Sequence, residues 1–124
     1  RKSLPAIALS NNSSTITAIS NDFSFDSVFS RQCESLISKG DVVIGISTSG
    51  NSLNVKKGIN TSKKNGAITI GLLGNKGGSI KRCVDIPLIV NSTSTSHIQE
   101  VHRTIYHIIC EIVEKEIIES SRKK

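Results

Sequence analysis

The sequence predicts an α/β fold, a parallel sheet flanked by helices, as a single domain over residues 1–124. Three short apolar runs have the near-continuous hydrophobic character of strands buried on both faces: Val42–Ile46, Ala67–Leu73 and Asp85–Val90. Segments with helical spacing lie between these runs and after the last one. Because parallel strands need crossover connections, this alternation favours a sheet that helices cover on both sides.

Caps, breakers and apolar spacing predict the other elements. Ser3–Ser10 reads as a further short buried strand, since Pro5 stands near its start, where a missing N–H is tolerated. A first helix, with Ser13 or Ser14 as its N-cap, is expected to reach Ile19. Amphipathic spacing and chain breakers predict the remaining helices: Phe25 to Gly40, Leu53 to Lys64, one turn at Ser79–Arg82, and about Thr95 to Glu119.

The composition is that of a globular protein, with 36% hydrophobic residues. No segment approaches the ~20 apolar residues of a membrane span, and the N-terminus carries no signal-peptide pattern. Cys33, Cys83 and Cys110 lie in apolar surroundings without disulfide or metal spacing, so we expect reduced core thiols. These observations predict a cytoplasmic protein with no membrane partner.

The placement of charge argues against nucleic-acid binding, although the net charge is +6. Five positive charges stand at the chain ends, on Arg1, Lys2, Arg122, Lys123 and Lys124. Basic ends are usually solvated, and stacking platforms are scarce because only 3% of the residues are aromatic. We therefore expect no nucleic-acid partner.

The strongest functional signal lies in the turn after Val42–Ile46. The residues STSGNS (47–52) separate that strand from a helix, and four of them carry a hydroxyl: Ser47, Thr48, Ser49 and Ser52. Free N–H groups and the positive end of the dipole make a helix start an anion site, and hydroxyls add donors. The alternative is an ordinary N-cap by Ser49 or Ser52. The number of hydroxyls favours a phosphate site for a small metabolite.

Other polar segments are expected beside this turn. Ligands of open parallel sheets bind at the carboxyl ends of the strands, where the segments after each strand meet. That rule gathers four polar segments at one edge: Ser10–Ser14, Asn21-Asp22 in the break after the first helix, Ser47–Ser52 and Asn91–Ser96.

The last helix carries a stripe of Gln99, Arg103 and His107, spaced i, i+4 and i+8. On spacing alone such a stripe is usually just solvated. His102 lies well away from His107 around the helix, so the two histidines are not expected to bind one metal ion together.

Three blocks of sequence together resemble the sugar isomerase (SIS) domain family, and within it the heptose-phosphate isomerases. The blocks are Leu4–Gln32, which contains SNDFSFDSVFSRQ; GDVVIGISTSGNSLNV (Gly40–Val55); and IQEVHRTIYHIICEIVEKE (Ile98–Glu116). The second block alone indicates SIS-like sugar-phosphate binding, and the other two are more specific to the heptose branch. The resemblance implies a flavodoxin-like or Rossmann-like three-layer sandwich.

The resemblance also implies roles for matching residues. Ser47, Thr48, Ser49 and Ser52 would hold the sugar phosphate. Asn21 and Asp22 would contact the substrate. Gln99 and His107 would be active-site groups and ligands of zinc in members that bind it, which raises the His107 stripe from solvated to functional.

The reaction implied is the interconversion of sedoheptulose 7-phosphate and D-glycero-D-manno-heptose 7-phosphate. A base moves a proton between adjacent carbons through an enediol, and His107 suits such a step because imidazole titrates near neutral pH. Zinc, if bound, would polarise the carbonyl. The family also implies a homotetramer with shared active sites and a product that enters bacterial lipopolysaccharide or capsule.

Two departures accompany the resemblance. The chain contains no Met and begins with Arg1, so we expect that an upstream part is absent. The family's Gly-Asn-Gly-Gly-Ser loop, catalytic Glu and zinc-ligand His would lie there. The 124 residues would then be the C-terminal part of an SIS domain, inactive alone and prone to association through an exposed sheet edge and apolar helix faces. Ser96 also stands where the family commonly has Asp.

A second hypothesis is a non-catalytic SIS module. Such a protein would bind a phosphosugar, or a replication-initiator protein, and keep the fold without the chemistry. The presence of both Gln99 and His107 favours the isomerase, because a scaffold has no need of them.

Overall fold

The chain alternates helices and strands over residues 3–122, which the computed structural model describes. The helices are α1 (Ser13–Asp22), α2 (Val28–Leu36), α3 (Leu53–Lys64) and α4 (Thr95–Arg122), and the strands are β1 (Val42–Ser47), β2 (Ile68–Gly74) and β3 (Ile86–Val90). Single 3-10 turns at Phe25–Ser27 and Ile80–Arg82 precede α2 and β3.

The three strands form one parallel sheet in the order β1-β2-β3. Val42 pairs with Ile68 and Ile70 pairs with Ile86, so all three strands end at the same edge. The predicted fold class, a parallel sheet flanked by helices, is confirmed. The predicted bounds of α3 are also confirmed, because an apolar stripe and the Asn65-Gly66 stop mark that helix locally.

One face of the sheet packs against α3 and forms the core. Ile59, Leu73, Ile80 and Val84 are its buried centre. A Cβ on Gly45 would lie 3.0 Å from Ile59 Cδ1, so the bare backbone of β1 lets α3 pack closely against the sheet. This packing fixes the start of α3 at the carboxyl end of β1.

The other face of the sheet is covered only near its carboxyl end, by the first turns of α4. There Ile98 and Leu72 are buried. Away from α4, five apolar strand residues keep 40–56% exposure: Val42, Ile44, Ile46, Ile68 and Ile86. The prediction of strands buried on both faces is therefore wrong for this part of the sheet, since no described helix covers it.

The predicted strand at Ser3–Ser10 is not formed. Residues 3–8 have no regular structure, and Ile7 is 74% exposed. A buried strand needs a neighbour to pair with its N–H and C=O groups, and within residues 3–122 no strand lies beside this segment. Gln32 Nε2 donates to the Leu9 carbonyl at 3.1 Å.

The first two helices differ from their predicted bounds. Asn12 is the N-cap of α1, accepting from Thr15 N at 3.0 Å, in place of Ser13 or Ser14. The helix continues to Asp22 because no breaking residue follows Ile19. Helix α2 ends at Leu36, well before Gly40, and the Asn65 side chain bonds the carbonyls of Cys33 and Ile37 there.

The cysteines differ in exposure. Cys33 is buried, and burial raises the pKa of its thiol, an effect that the neighbouring Ser62 side chain partly counteracts. Cys83 is half-buried, and Cys110 is exposed on α4, so the prediction of a core thiol is wrong for Cys110. Its part of α4 lies beyond the helix turns that pack on the sheet. Among the described helices, none combines the length and apolar character that a membrane crossing requires.

Asp85, just before β3, connects that strand to β2 and α3. Its Oδ2 accepts from Thr69 N at 2.9 Å and from Thr69 Oγ1 at 2.8 Å, and its Oδ1 lies 2.6 Å from Lys63 Nζ. The hydrogen bond from Lys63, followed by those from Thr69, lowers the pKa of Asp85 to about 2.

Asp85→Asn is expected to make the free energy of unfolding depend less on pH below about pH 4. A folded-state pKa below the unfolded value of about 4 means that this carboxylate stabilises the fold above about pH 4. That contribution is lost as the pH falls towards about 2. Urea unfolding midpoints measured between about pH 2 and pH 5 test this expectation. Asp26→Asn, on the 3-10 turn, is the control. Equal pH dependence in the wild type and Asp85→Asn would contradict the assignment.

Candidate functional site

The hydroxyl turn, residues 47–52, connects the end of β1 to the start of α3. Gly50 N donates to the Ser47 carbonyl at 3.1 Å and closes the turn. Ser47 is 4% exposed, and its hydroxyl lies 2.9 Å from that of Ser52. Because one hydroxyl of this pair donates to the other, the acceptor's proton remains available for a ligand.

The start of α3 has no side-chain cap. Ser52 stands at the N-cap position with extended backbone angles, but its hydroxyl makes no cap hydrogen bond. Ser49 Oγ accepts from Asn51 N at 3.1 Å, inside the turn itself. Neither Ser49 nor Ser52 is therefore an ordinary N-cap of α3. The positive end of the α3 dipole faces the same side as the hydroxyls.

The loop after β2 packs against the hydroxyl turn, backbone to backbone. A Cβ on Gly50, whose φ is +68°, would fall 2.3 Å from the Gly77 carbonyl oxygen. Ile80 N donates to the Gly50 carbonyl at 2.9 Å, and Ser79 N donates to Asn51 Oδ1 at 2.8 Å. Residues 74–80, called the glycine loop below, are therefore a rigid support for the turn.

Asn75 joins the turn to the segment after β3. Its side-chain Nδ2 donates to the Thr48 carbonyl at 3.0 Å, and its backbone N donates to the Ser92 carbonyl at 3.0 Å. The prediction that the polar segments after β1 and β3 meet at one edge is thereby supported. The sequence suggested only a flexible loop here; an Asn between the strand end and Gly77-Gly78 was the signal that could have shown its role.

An open polar cavity of about 760 Å³ lies between these segments. Its lining includes Ser49, Asn51, Asn75, Ser92 and Thr93, together with the exposed cation Lys76. A lining of amides and hydroxyls with one positive charge suits a polyhydroxylated anion better than an apolar ligand.

The candidate residues Asn21 and Asp22 lie at the end of α1. Asn21 and Asp22 are exposed in the last turn of α1, which packs against α2 and the preceding 3-10 turn. Over residues 3–122, no hydrogen bond links either residue to the hydroxyl turn. The substrate contacts predicted for Asn21 and Asp22, and the place predicted for Ser10–Ser14 at this edge, stay predictions.

Gln99 and His107 both lie on α4 and are exposed. The His107 ring lies 5.0 Å from that of Tyr106, centroid to centroid. His102, on another side of the helix, is buried, and its Nε2 lies 3.1 Å from the Leu73 carbonyl. His102 thus anchors α4 to β2, a structural role that sequence reasoning missed, and it is directed away from the Gln99 stripe.

Gln99 and His107 are too few to complete a zinc site. Zinc in proteins takes four ligands at ~2.0–2.3 Å, and Gln99 and His107, ~12 Å apart along the helix axis, supply at most two. The part of the chain that the structure describes contains no group of three or more His, Cys, Asp or Glu that could hold a metal ion. These residues alone do not form a zinc site.

The chain belongs to the SIS domain family, whose pattern matches residues 1–74. It is similar to proteins named phosphoheptose isomerase in two bacteria. One, from Trichlorobacter lovleyi, is 55% identical, with 93% of this chain covering 59% of that protein. The other, from Geobacter sulfurreducens, is 53% identical, with coverage of 94% and 62%. The resemblance seen in the sequence is confirmed.

Solved structures give the same result. A phosphoheptose isomerase from Francisella tularensis has a TM-score of 0.90 at 35% identity, over 93% of this chain and 62% of that one. One from Neisseria gonorrhoeae has a TM-score of 0.86 at 39% identity, over 88% and 61%. The chain thus spans about three fifths of the length of the relatives that it matches.

Gly50→Ala is expected to destabilise the protein by about 2–4 kcal/mol, from the positive φ and the overlap with the glycine loop together. Gly40→Ala is the matched control, because Gly40 also has a positive φ of +94° but nothing lies within 4 Å of its added Cβ. That control is expected to cost only about 1 kcal/mol. Urea unfolding measures both; equal costs would show that the contact with the glycine loop is not tight.

Proposed function

We propose that the whole protein is a phosphoheptose isomerase that interconverts sedoheptulose 7-phosphate and D-glycero-D-manno-heptose 7-phosphate. The observation that carries this proposal is 53–55% identity, over nearly all of this chain, to proteins of that name. The geometry supports it, because hydroxyls, an uncapped helix start and a polar cavity adjoin at one sheet edge.

In this proposal the phosphate binds at the hydroxyl turn. Its oxygens accept from free N–H groups at the start of α3 and from the hydroxyls of Ser47, Thr48, Ser49 and Ser52. Ser47 and Ser52 are pre-positioned by their mutual hydrogen bond. The polyol chain of the substrate extends into the cavity lined by Asn75 and Ser92.

Proton transfer in this proposal involves His107, with Gln99, Asn21 and Asp22 contacting the substrate. An imidazole can remove or return a proton between adjacent carbons near neutral pH. Gln99 lies on the same helical stripe as His107 and is equally exposed, so both are open to a ligand. The second acid/base group is proposed to come from outside the described residues.

The proposal also includes a bound zinc ion and a homotetramer. Gln99 and His107 would supply two ligands, and a bound zinc ion would polarise the substrate carbonyl. A homotetramer would bury apolar residues that this chain exposes, such as Ile46 and Ile112, at 51% and 54% exposure. Sedimentation of the full-length gene product measures the subunit number.

We also propose a cytoplasmic location and a product that is used for lipopolysaccharide or capsule. Deleting the gene would then remove heptose from the surface glycan of the source cell. An unchanged sugar composition would contradict this destination.

The direct test gives the full-length gene product sedoheptulose 7-phosphate, with and without a zinc chelator, and follows aldoheptose phosphate. If the chelator abolishes turnover, both the isomerase activity and the zinc site are supported. If turnover continues with the chelator present, the isomerase is supported and the zinc site is contradicted. Sugar-phosphate binding without turnover would instead favour the regulatory SIS module, and capture of a replication-initiator protein would then identify its partner.

Ser52→Ala in the full-length gene product is expected to raise KM for the sugar phosphate roughly 10- to 100-fold, because a hydrogen bond to a charged oxygen is lost. Ser35→Ala, an exposed serine on α2, is the matched control and is expected to leave KM unchanged. Steady-state kinetics measure both. An unchanged KM in Ser52→Ala would remove this hydroxyl from the phosphate site.

His107→Ala is expected to lower kcat roughly 100- to 10,000-fold, the usual contribution of a general acid or base. His97→Ala is the control, since His97 is also exposed on α4 but lies ten residues before His107, ~15 Å away along the helix axis. Equal kcat values in the two variants would contradict the role of His107.

A further inference from the structure

Asn75 makes hydrogen bonds in two directions at the ligand edge. Its side chain donates to Thr48 in the hydroxyl turn, and its backbone donates to Ser92 after β3, both at 3.0 Å. The Thr48 carbonyl is also confined from another side, since a Cβ on Gly74 would lie 2.2 Å from its oxygen. The orientation of the peptide between Thr48 and Ser49 is therefore fixed by the glycine loop.

The backbone of Asn75 is strained in a way that its side chain accounts for. Its φ is +53°, and among the described residues it is the one residue other than glycine with a positive φ. Glycine would adopt this conformation more readily, as it does nearby at Gly77 and Gly78. What Asn adds is an amide donor directed at Thr48, so the strain coincides with a contact to the candidate phosphate site.

We propose that Asn75 is a positioning residue that holds the hydroxyl turn in its phosphate-binding shape. This inference rests on the proposed sugar-phosphate site and adds a residue that does not itself touch the reacting atoms. Without the Asn75 amide, the Thr48 carbonyl loses its side-chain donor, and the hydroxyls on both sides of it are held less firmly in their common direction. The phosphate then binds more weakly, whereas the chemical step is unchanged.

Asn75→Gly and Asn75→Asp in the full-length gene product test the proposal. Glycine removes the donor and relieves the backbone strain, and Asp keeps the shape but presents an acceptor to the Thr48 carbonyl. Both are expected to raise the Kd for inorganic phosphate and KM for the sugar phosphate roughly 3- to 10-fold, with kcat within about twofold. Asn75→Gly is expected to change the melting temperature little, because relief of the positive φ offsets the lost hydrogen bond, so a loss of stability does not explain its weaker binding.

Asn65→Asp is the matched control. Asn65 also donates its amide to backbone carbonyls, those of Cys33 and Ile37, but at the far end of α3. This variant is expected to melt earlier and to bind phosphate as the wild type does. Wild-type phosphate affinity in both Asn75 variants, or an equal loss in Asn65→Asp, would overturn the inference. If the wild type binds phosphate but shows no isomerase turnover, the proposed reaction is contradicted, whereas the positioning role of Asn75 is not.

Discussion

The contact between the hydroxyl turn and the glycine loop is the constraint on which the ligand edge depends. Gly50 and Gly77 approach so closely that no side chain fits between them, and Ile80 N donates to the Gly50 carbonyl. Backbone carbonyls and amides have few alternative arrangements at such short range, because each buried group must keep a partner. The shape of the turn is therefore set by the strand order, which places the end of β2 beside the end of β1.

The core transmits this constraint to the start of α3. Ile59 packs into the space that Gly45 leaves open on β1, and Ile80 connects the same core to the glycine loop. The helix whose N-terminus faces the candidate phosphate site is thus fixed along its length and not only at its first residue. A preorganised set of donors needs little reordering when an anion arrives, which favours binding.

The sequence predicted the elements that local patterns determine and missed those that depend on distant neighbours. Helix α3 was predicted from Leu53 to Lys64, because its stripe and its stop lie within one segment. Ser3–Ser10 has the composition of a buried strand, but burial requires a partner strand that no local pattern reveals. The hydroxyls at residues 47–52 were found from composition, whereas the Asn75 contact to Thr48 spans 27 positions and needed the fold.

The proposed function needs phosphate binding and proton transfer, and the described residues bring together the groups for the first but not for the second. Anion binding needs donors grouped within one or two turns of chain, and residues 47–52 with their supporting loop meet that need locally. Proton transfer needs an acid and a base within hydrogen-bond reach of the same carbon atoms. His107, the acid or base of the proposed reaction, is exposed on α4, and no hydrogen bond within residues 3–122 joins it to the turn. In that proposal, phosphate binding would rest on the donors of residues 47–52, whereas proton transfer would need a second acid or base besides His107.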